Sequence, residues 1–210
     1  MVSKTVTVSG TTYKANSSGA LTVVGKVASV TTAGDYDIMG KPGTTVAKMV
    51  AAYNKTGKSY PASTYKSKGA ATINVFCQIL YDEAVAEGVR PEVVFAQSML
   101  ETGWLQFGGD VKASQCNFAG LGATGGGAQG ATFKDVRTGL RAQVQHLKAY
   151  ASTKALNNTC VDPRFDLVKR GCATTVIHLG QQENPNGYGW ATGKGYGSNI
   201  IKLMKDNKII

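Results

Sequence analysis

The segment Arg90-Pro91-Glu92-Val93-Val94-Phe95-Ala96-Gln97-Ser98-Met99-Leu100-Glu101-Thr102-Gly103-Trp104 tolerates only one environment. Pro91 suits a first helical position, Glu92 faces the positive end of the helix dipole, and Gly103 is a natural stop. Between them Val93, Val94, Phe95, Ala96, Met99 and Leu100 are apolar on nearly every side, which predicts a helix sunk in a core rather than lying on one. A carboxylate, Glu101, closes the run, with Gln97 one turn before it on the same face. A buried carboxyl finds a partner or keeps its proton, and a carboxyl protonated near neutrality is what a general acid needs. The plainer reading is that Glu101 lies at a solvated helix end and pairs locally.

The rest of the chain bounds the possibilities. Its 210 residues, 42% hydrophobic, suffice for one domain of ordinary size and an appendage. No apolar run approaches the roughly 20 residues of a membrane span. The chain opens in strand-like sequence without the apolar core of a signal peptide, so it reads as a piece excised from a longer exported chain, or as one released by another route. Twenty-three Lys and Arg against 13 Asp and Glu give a formal charge of +10, which draws the protein to polyanions. The basic residues are scattered, with no dense run and no interleaved aromatics, which speaks against nucleic acid and leaves an acidic cell-wall polymer. Cys77, Cys116, Cys160 and Cys172 form no Cys-x-x-Cys pair, and His146 and His178 are not spaced with them as zinc ligands, so neither metal nor cofactor is expected. Free thiols are the default, with a Cys160–Cys172 disulfide as the alternative in an oxidising setting.

Taken in order, residues 1–35 read as a β-hairpin segment and linker. Thr5–Val8 and Leu21–Val24 are strand-like, Ser9-Gly10 and Ser17-Ser18-Gly19 are turns, and the unit from Val8 to Leu21 faintly resembles a cell-wall-binding repeat. Residues 36–210 form the main domain. Helices are expected from Thr44 to Tyr53, from Ile73 to a stop at Gly88 with Thr72 as cap, from Val136 to Ala151, from Ala173 to Leu179, and from Asn199 to Met204. Residues 54–71 read as a long polar loop, Asp82, Glu83 and Glu87 as a solvated helix face, and His146 and His178 as surface residues. The stretch Gly120–Gly130 lacks the flanking strand and Lys-Ser/Thr of a phosphate loop and suits a flap beside a cleft. Near the end, Tyr188, Trp190 and Tyr196 stand among glycines, where they either present aromatic faces to sugar rings or cover the core.

Ala96-Gln97-Ser98-Met99-Leu100-Glu101-Thr102-Gly103-Trp104, Asn117-Phe118-Ala119-Gly120-Leu121, Phe133, and Trp190-Ala191-Thr192 with Tyr196 occur in an order that resembles the glucosaminidase family of bacterial peptidoglycan hydrolases. Gly108-Gly109-Asp110, Gly120–Gly127 and Arg141-Ala142-Gln143 resemble its clostridial-type autolysin members most. The resemblance covers about residues 36–210. It implies a mainly α, lysozyme-like catalytic domain with a short glycine-rich β/loop lobe. It further implies a monomeric glycosidase, working outside the cell on the anionic wall, that cuts the β-1,4 bond on the reducing side of N-acetylglucosamine. By the same resemblance Glu101 is the catalytic acid and Tyr196 lies near the scissile sugar. Gln97, Trp104, Asn117, Phe118, Tyr188 and Trp190 are expected to bind substrate or brace the cleft.

Several members carry a second acidic residue after the Asn-Phe block, whereas Gly120–Phe133 contains no Asp or Glu here. Glycoside hydrolysis usually takes two carboxyl groups, but an N-acetyl sugar supplies its own acetamide oxygen as nucleophile in substrate-assisted variants. The expectation is that Glu101 acts as acid and then base, with Tyr196 steering the acetamide. Inversion with Asp110 or Asp135 as base is the alternative. A muramidase, a lytic transglycosylase and a non-catalytic wall-binding module are the competing functions.

Overall fold

A computed structural model describes residues 5–8, 11–15, 21–26, 34–123 and 127–210. The chain divides into two compact units, Met1–Gly34 and Asp35–Ile210. The first holds a three-stranded antiparallel meander of β1 (Thr5–Val8), β2 (Thr11–Ala15) and β3 (Leu21–Lys26), one strand more than the hairpin expected. The expected turns at Ser9-Gly10 and Ser17–Gly19 lie outside the described residues. Asp35 already belongs to the second unit, where its carboxylate accepts the backbone N–H of Ile177 at 3.1 Å.

The second unit is built of helices: α1 (Val46–Lys55), α2 (Ala62–Tyr65), α3 (Ile73–Glu87), α4 (Pro91–Glu101), α5 (Val136–Ala151) and α6 (Tyr196–Asp206). Among its described residues only isolated β-bridges stand in for strands, so the α-rich architecture is the observed one, and the glycine-rich lobe is loop. Thr45, Thr72 and Asp135 each cap a helix, accepting the N–H of Lys48, Val75 and Thr138. The expected helix at Ala173–Leu179 shrinks to a 3₁₀ turn over Ile177–Leu179, and α6 starts three residues before the expected Asn199. The stretch read as a polar loop contains α2, whose Tyr65 is wholly buried against Phe76 and Phe118. Polar neighbours in sequence hid an aromatic anchor.

Helix α4 is the hub, and every residue from Pro91 to Met99 is buried against α3, α5 and α6. Two acids on α3 pack against the next layer instead of facing water. Glu83 is 3% exposed and takes Arg137 at 2.6 Å and Arg141 at 2.7 Å, both from α5. Glu87, 1% exposed, accepts the Lys148 ammonium at 2.7 Å and the backbone N–H groups of Asn157 and Asn158 at 2.9 Å. Burial alone pushes the Glu87 carboxyl up, but the N–H donors and the ammonium outweigh it and hold the group below its ordinary value. The solvated-face reading fails for both acids because α5, not solvent, covers that side, and it presents Arg137, Arg141 and Lys148 along one stripe.

These pairs are expected to dominate the response of the fold to charge deletion. Glu87→Ala leaves a buried ammonium unpaired and should cost about 3–5 kcal/mol in urea unfolding. Lys202→Ala, which removes one partner of the exposed Lys202–Asp206 pair, should cost no more than about 0.5 kcal/mol. Because the Glu87 carboxyl is depressed in the folded protein, its contribution is present at neutral pH and is lost as pH falls through the folded value.

Candidate active site

Glu101 is the last residue of α4, and the chain leaves the helix through a left-handed turn. Gly103 (φ 57°), Trp104 (φ 63°) and Leu105 (φ 59°) are consecutive residues with positive φ. A side chain in that region costs of order 1–2 kcal/mol per residue, so the turn persists only because its surroundings hold it. Thr102 does part of this, its hydroxyl donating to the Ser98 carbonyl at 2.6 Å and accepting the Leu105 N–H at 2.8 Å. Leu105 is buried, and the Trp104 ring packs against Phe95 and Tyr53. Trp104 therefore braces the turn after Glu101 and lines no described cavity.

The Glu101 carboxyl is open to solvent on one side and crowded by protein on the other. Oε1 accepts a short hydrogen bond from the Tyr196 hydroxyl. Tyr196 opens α6, whose second residue, Gly197, lies so close to the Val176–Ile177 backbone that a Cβ there would stand 2.1 Å from the Val176 carbonyl oxygen. The Tyr196 oxygen in turn accepts Gln97 Nε2 at 3.0 Å, Gln97 Oε1 accepts Gln143 Nε2 at 2.9 Å, and Gln143 Nε2 also reaches the Val94 carbonyl at 3.2 Å. A backbone carbonyl only accepts, so it fixes which way both amides point. The order of donors that follows leaves Tyr196 one role, donation to Glu101. With Oε1 committed as an acceptor, the proton of a neutral Glu101 resides on Oε2.

Oε2 faces the glycine loop, and a Cβ on Gly120 would stand 3.9 Å from it. Burial raises the Glu101 carboxyl above its ordinary value, and the Tyr196 hydrogen bond opposes this by favouring the charged form, with burial the larger effect. The Tyr196 phenol is itself pushed well above the ordinary tyrosine range by burial and by the facing carboxyl, so it stays a donor.

A cavity of about 200 Å³ opens over Glu101, and Asp110, Asn117, Gly120 and Ala123 are among its lining residues. Asn117 is buried. Its amide donates to the Leu121 and Ala131 carbonyls and its oxygen accepts the Leu121 N–H, so it ties down the glycine loop. A second cavity of about 200 Å³ shares Gly120 and Ala123 with the first and is lined by Trp190, Tyr150, His146 and Arg164. The structure thus gathers Glu101, Tyr196, Gln97 and Asn117 at one place, with Trp190 in the neighbouring lobe.

Several expectations change. Phe118 is fully buried between Tyr65 and Phe76 and offers no face to a ligand. Gln97 is also fully buried and positions Tyr196 instead of touching the cavity. Tyr188 lines neither cavity, and its ring lies beneath the Lys169 ammonium, 4.6 Å away. His146, read as a surface residue, is 7% exposed and paired with Asp162 at 2.7 Å. Asp135 is committed to capping α5 through Thr138 and lines a cavity with Lys68 and Arg137, separate from the one over Glu101. Gln143, and Ser98 whose hydroxyl donates to Gln143 Oε1 at 2.8 Å, carried no sign of their role beyond the motifs that contain them. All four cysteines are free thiols, so the Cys160–Cys172 alternative falls. Among the described residues no cluster of acidic, His or Cys side chains has the arrangement of a metal site.

A family model described as Glucosaminidase, mannosyl-glycoprotein endo-beta-N-acetylglucosaminidase, matches residues 77–209. The chain belongs to the glucosaminidase family. The match takes in α4, α5 and α6, and so includes every member of the Glu101 network. A protein of Borreliella burgdorferi described as uncharacterized is 39% identical over 132 residues, which are 63% of this chain and 61% of the relative. The chain therefore aligns with about three fifths of that relative's length. No solved structure matches the chain.

The raised Glu101 carboxyl has a consequence for stability. The folded protein binds that proton more tightly than the unfolded chain, so the associated stabilisation is complete in acid and is lost as pH rises through the unfolded and then the folded value. Above the folded value the ionised group opposes folding. Glu101→Gln should therefore melt at the same temperature as the parent or higher at neutral pH, with the difference shrinking toward about pH 4, as followed by circular dichroism. A lower melting temperature at neutral pH would mean that the carboxylate is a net stabiliser.

Proposed function

We propose that the protein is an endo-β-N-acetylglucosaminidase that hydrolyses the β-1,4 bond between N-acetylglucosamine and N-acetylmuramic acid in peptidoglycan, with Glu101 as general acid. The observation that carries this reading is the polarised chain ending at Glu101, which leaves the acidic proton on Oε2, the oxygen toward the cavity. Glu101 delivers that proton to the glycosidic oxygen as the bond breaks, then takes one from the incoming water. Trp190 presents an aromatic wall suited to a sugar face. The charge of +10 holds the protein near an anionic wall, consistent with action outside the cell.

Two groups compete for the second role. In the first reading the substrate's acetamide oxygen attacks its own anomeric carbon, and the configuration is retained. Tyr196 is close enough to Glu101 to take part, although in the free protein its proton goes to the carboxylate. In the second, Asp110 activates water and the configuration inverts. That reading is favoured by the placement of Asp110 in the wall of the Glu101 cavity, which supplies a carboxylate the glycine loop lacks.

Digestion of purified sacculi tests both parts. Glu101→Gln should reduce release of fragments with N-acetylglucosamine at the new reducing end by about a hundredfold to ten-thousandfold, the range a general acid contributes. Fragments ending in N-acetylmuramic acid or an anhydro sugar would indicate the muramidase or transglycosylase reaction instead, and binding without release would indicate a wall-binding module. Proton NMR of the first anomer released separates the mechanisms. Retention with near-normal turnover in Asp110→Asn supports acetamide participation, whereas inversion with turnover abolished in that variant supports Asp110.

A further inference from the structure

The cavity beside the Glu101 lobe contains chemistry that bond cleavage does not use. His146 projects from α5 and is more than nine-tenths buried. Its Nδ1 meets the Asp162 carboxylate at 2.7 Å, and Asp162 is fixed by accepting the Arg164 backbone N–H at 2.9 Å. A carboxylate only accepts, so Nδ1 carries the hydrogen, and in the neutral form of the ring Nε2 is left as a lone-pair acceptor. Nε2 has no hydrogen-bond partner among the described residues, and His146 lines the cavity. The ring is wedged by Trp190 at 4.7 Å and Tyr150 at 5.3 Å, both edge to face, which fixes its direction. Across the same cavity stands Arg164, half-buried, whose guanidinium makes no ion pair or hydrogen bond among the described residues.

A buried, oriented imidazole acceptor and an unpaired guanidinium in one concavity specify a ligand that brings a hydrogen-bond donor and an anion on the same arm. The two cavities meet at Gly120 and Ala123, so whatever fills this one is attached to, or lies next to, the sugar over Glu101. We propose that this cavity is a recognition site for the carboxylate-bearing acyl-peptide arm of the glycan. The arm's amide N–H donates to His146 Nε2, its carboxylate takes Arg164, and its apolar part rests on Trp190. The inference rests on the glycan-hydrolase reading for its substrate, but the binding it predicts does not depend on turnover.

The test uses two soluble probes and the full chain with Glu101→Gln, so that neither probe is consumed. One probe is N-acetylmuramyl-L-alanyl-D-isoglutamine, which carries the arm; the other is the N-acetylglucosamine disaccharide, which lacks it. Affinities are measured by titration calorimetry, and the His146 ring is followed by nitrogen-15 NMR. The armed probe should bind at least tenfold more tightly and shift the Nε2 resonance. Adding Arg164→Ala should weaken the armed probe about tenfold or more and leave the disaccharide unchanged. Arg164→Gln, which keeps the packing stem, should behave like Arg164→Ala. The proposal is overturned if the arm adds no affinity, if the Arg164 variants bind both probes as the parent does, or if they lose both equally. Sacculus digestion by the wild-type chain is run alongside. A wild type that releases nothing while the armed probe still binds refutes the hydrolase reading alone, and normal release without arm-dependent binding refutes this inference alone.

Discussion

The hydrogen bond between Tyr196 and Glu101 has a direction, and that direction originates at a backbone carbonyl. Val94 accepts, Gln143 and Gln97 pass the constraint outward, and Tyr196 has no choice but to donate. Each amide is buried, where an unmade hydrogen bond costs about 1–3 kcal/mol, so the order of donors is held by the same energies that hold the core. The proton that matters is placed on the far oxygen by elimination. In this way a helix apolar enough to be a structural hub also becomes a rigid mount for one acid.

The rest of the fold keeps that mount still. The buried pairs of Glu83 and Glu87 lock α3 to α5, which brings Gln143 against α4. The close approach of Gly197 to the Val176 carbonyl sets where α6 begins, and α6 begins with Tyr196. The left-handed turn at Gly103–Leu105 carries the chain sharply away from Glu101, and its strain is absorbed by buried Leu105, the Thr102 hydroxyl and the Trp104 ring packed edge to face on Phe95. Strained backbone beside a titratable group commonly marks a functional site, because stability alone gives no reason to retain it.

Much of this was legible in the sequence. Pro91, Gly88, Thr72 and the stripe of α5 placed three helices within a residue of their ends, because capping and 3.6-residue periodicity are local properties. The motif order pointed to the family. What failed was the reading of what covers Glu83, Glu87 and His146, whereas Asp82 is exposed as expected. Glu83, Glu87 and His146 look solvated in one dimension, and only the packing of α5 along α3 and beneath the Asp162 loop shows otherwise. Phe118 and Gln97, expected to bind substrate or brace the cleft, have no accessible surface and pack behind the site. Asp110 and Asp135 were equivalent in sequence. The caps and the cavities separate them.

The account stands on the ionisation of one side chain, and carbon-13 NMR of its carboxyl across a pH titration reads that directly. The resonance of Glu101 should titrate above the ordinary glutamate range in the wild type, and higher still in Tyr196→Phe, which loses the only hydrogen bond the described residues make to that carboxyl. A midpoint at or below the ordinary value, or one that Tyr196→Phe leaves unmoved, would contradict it.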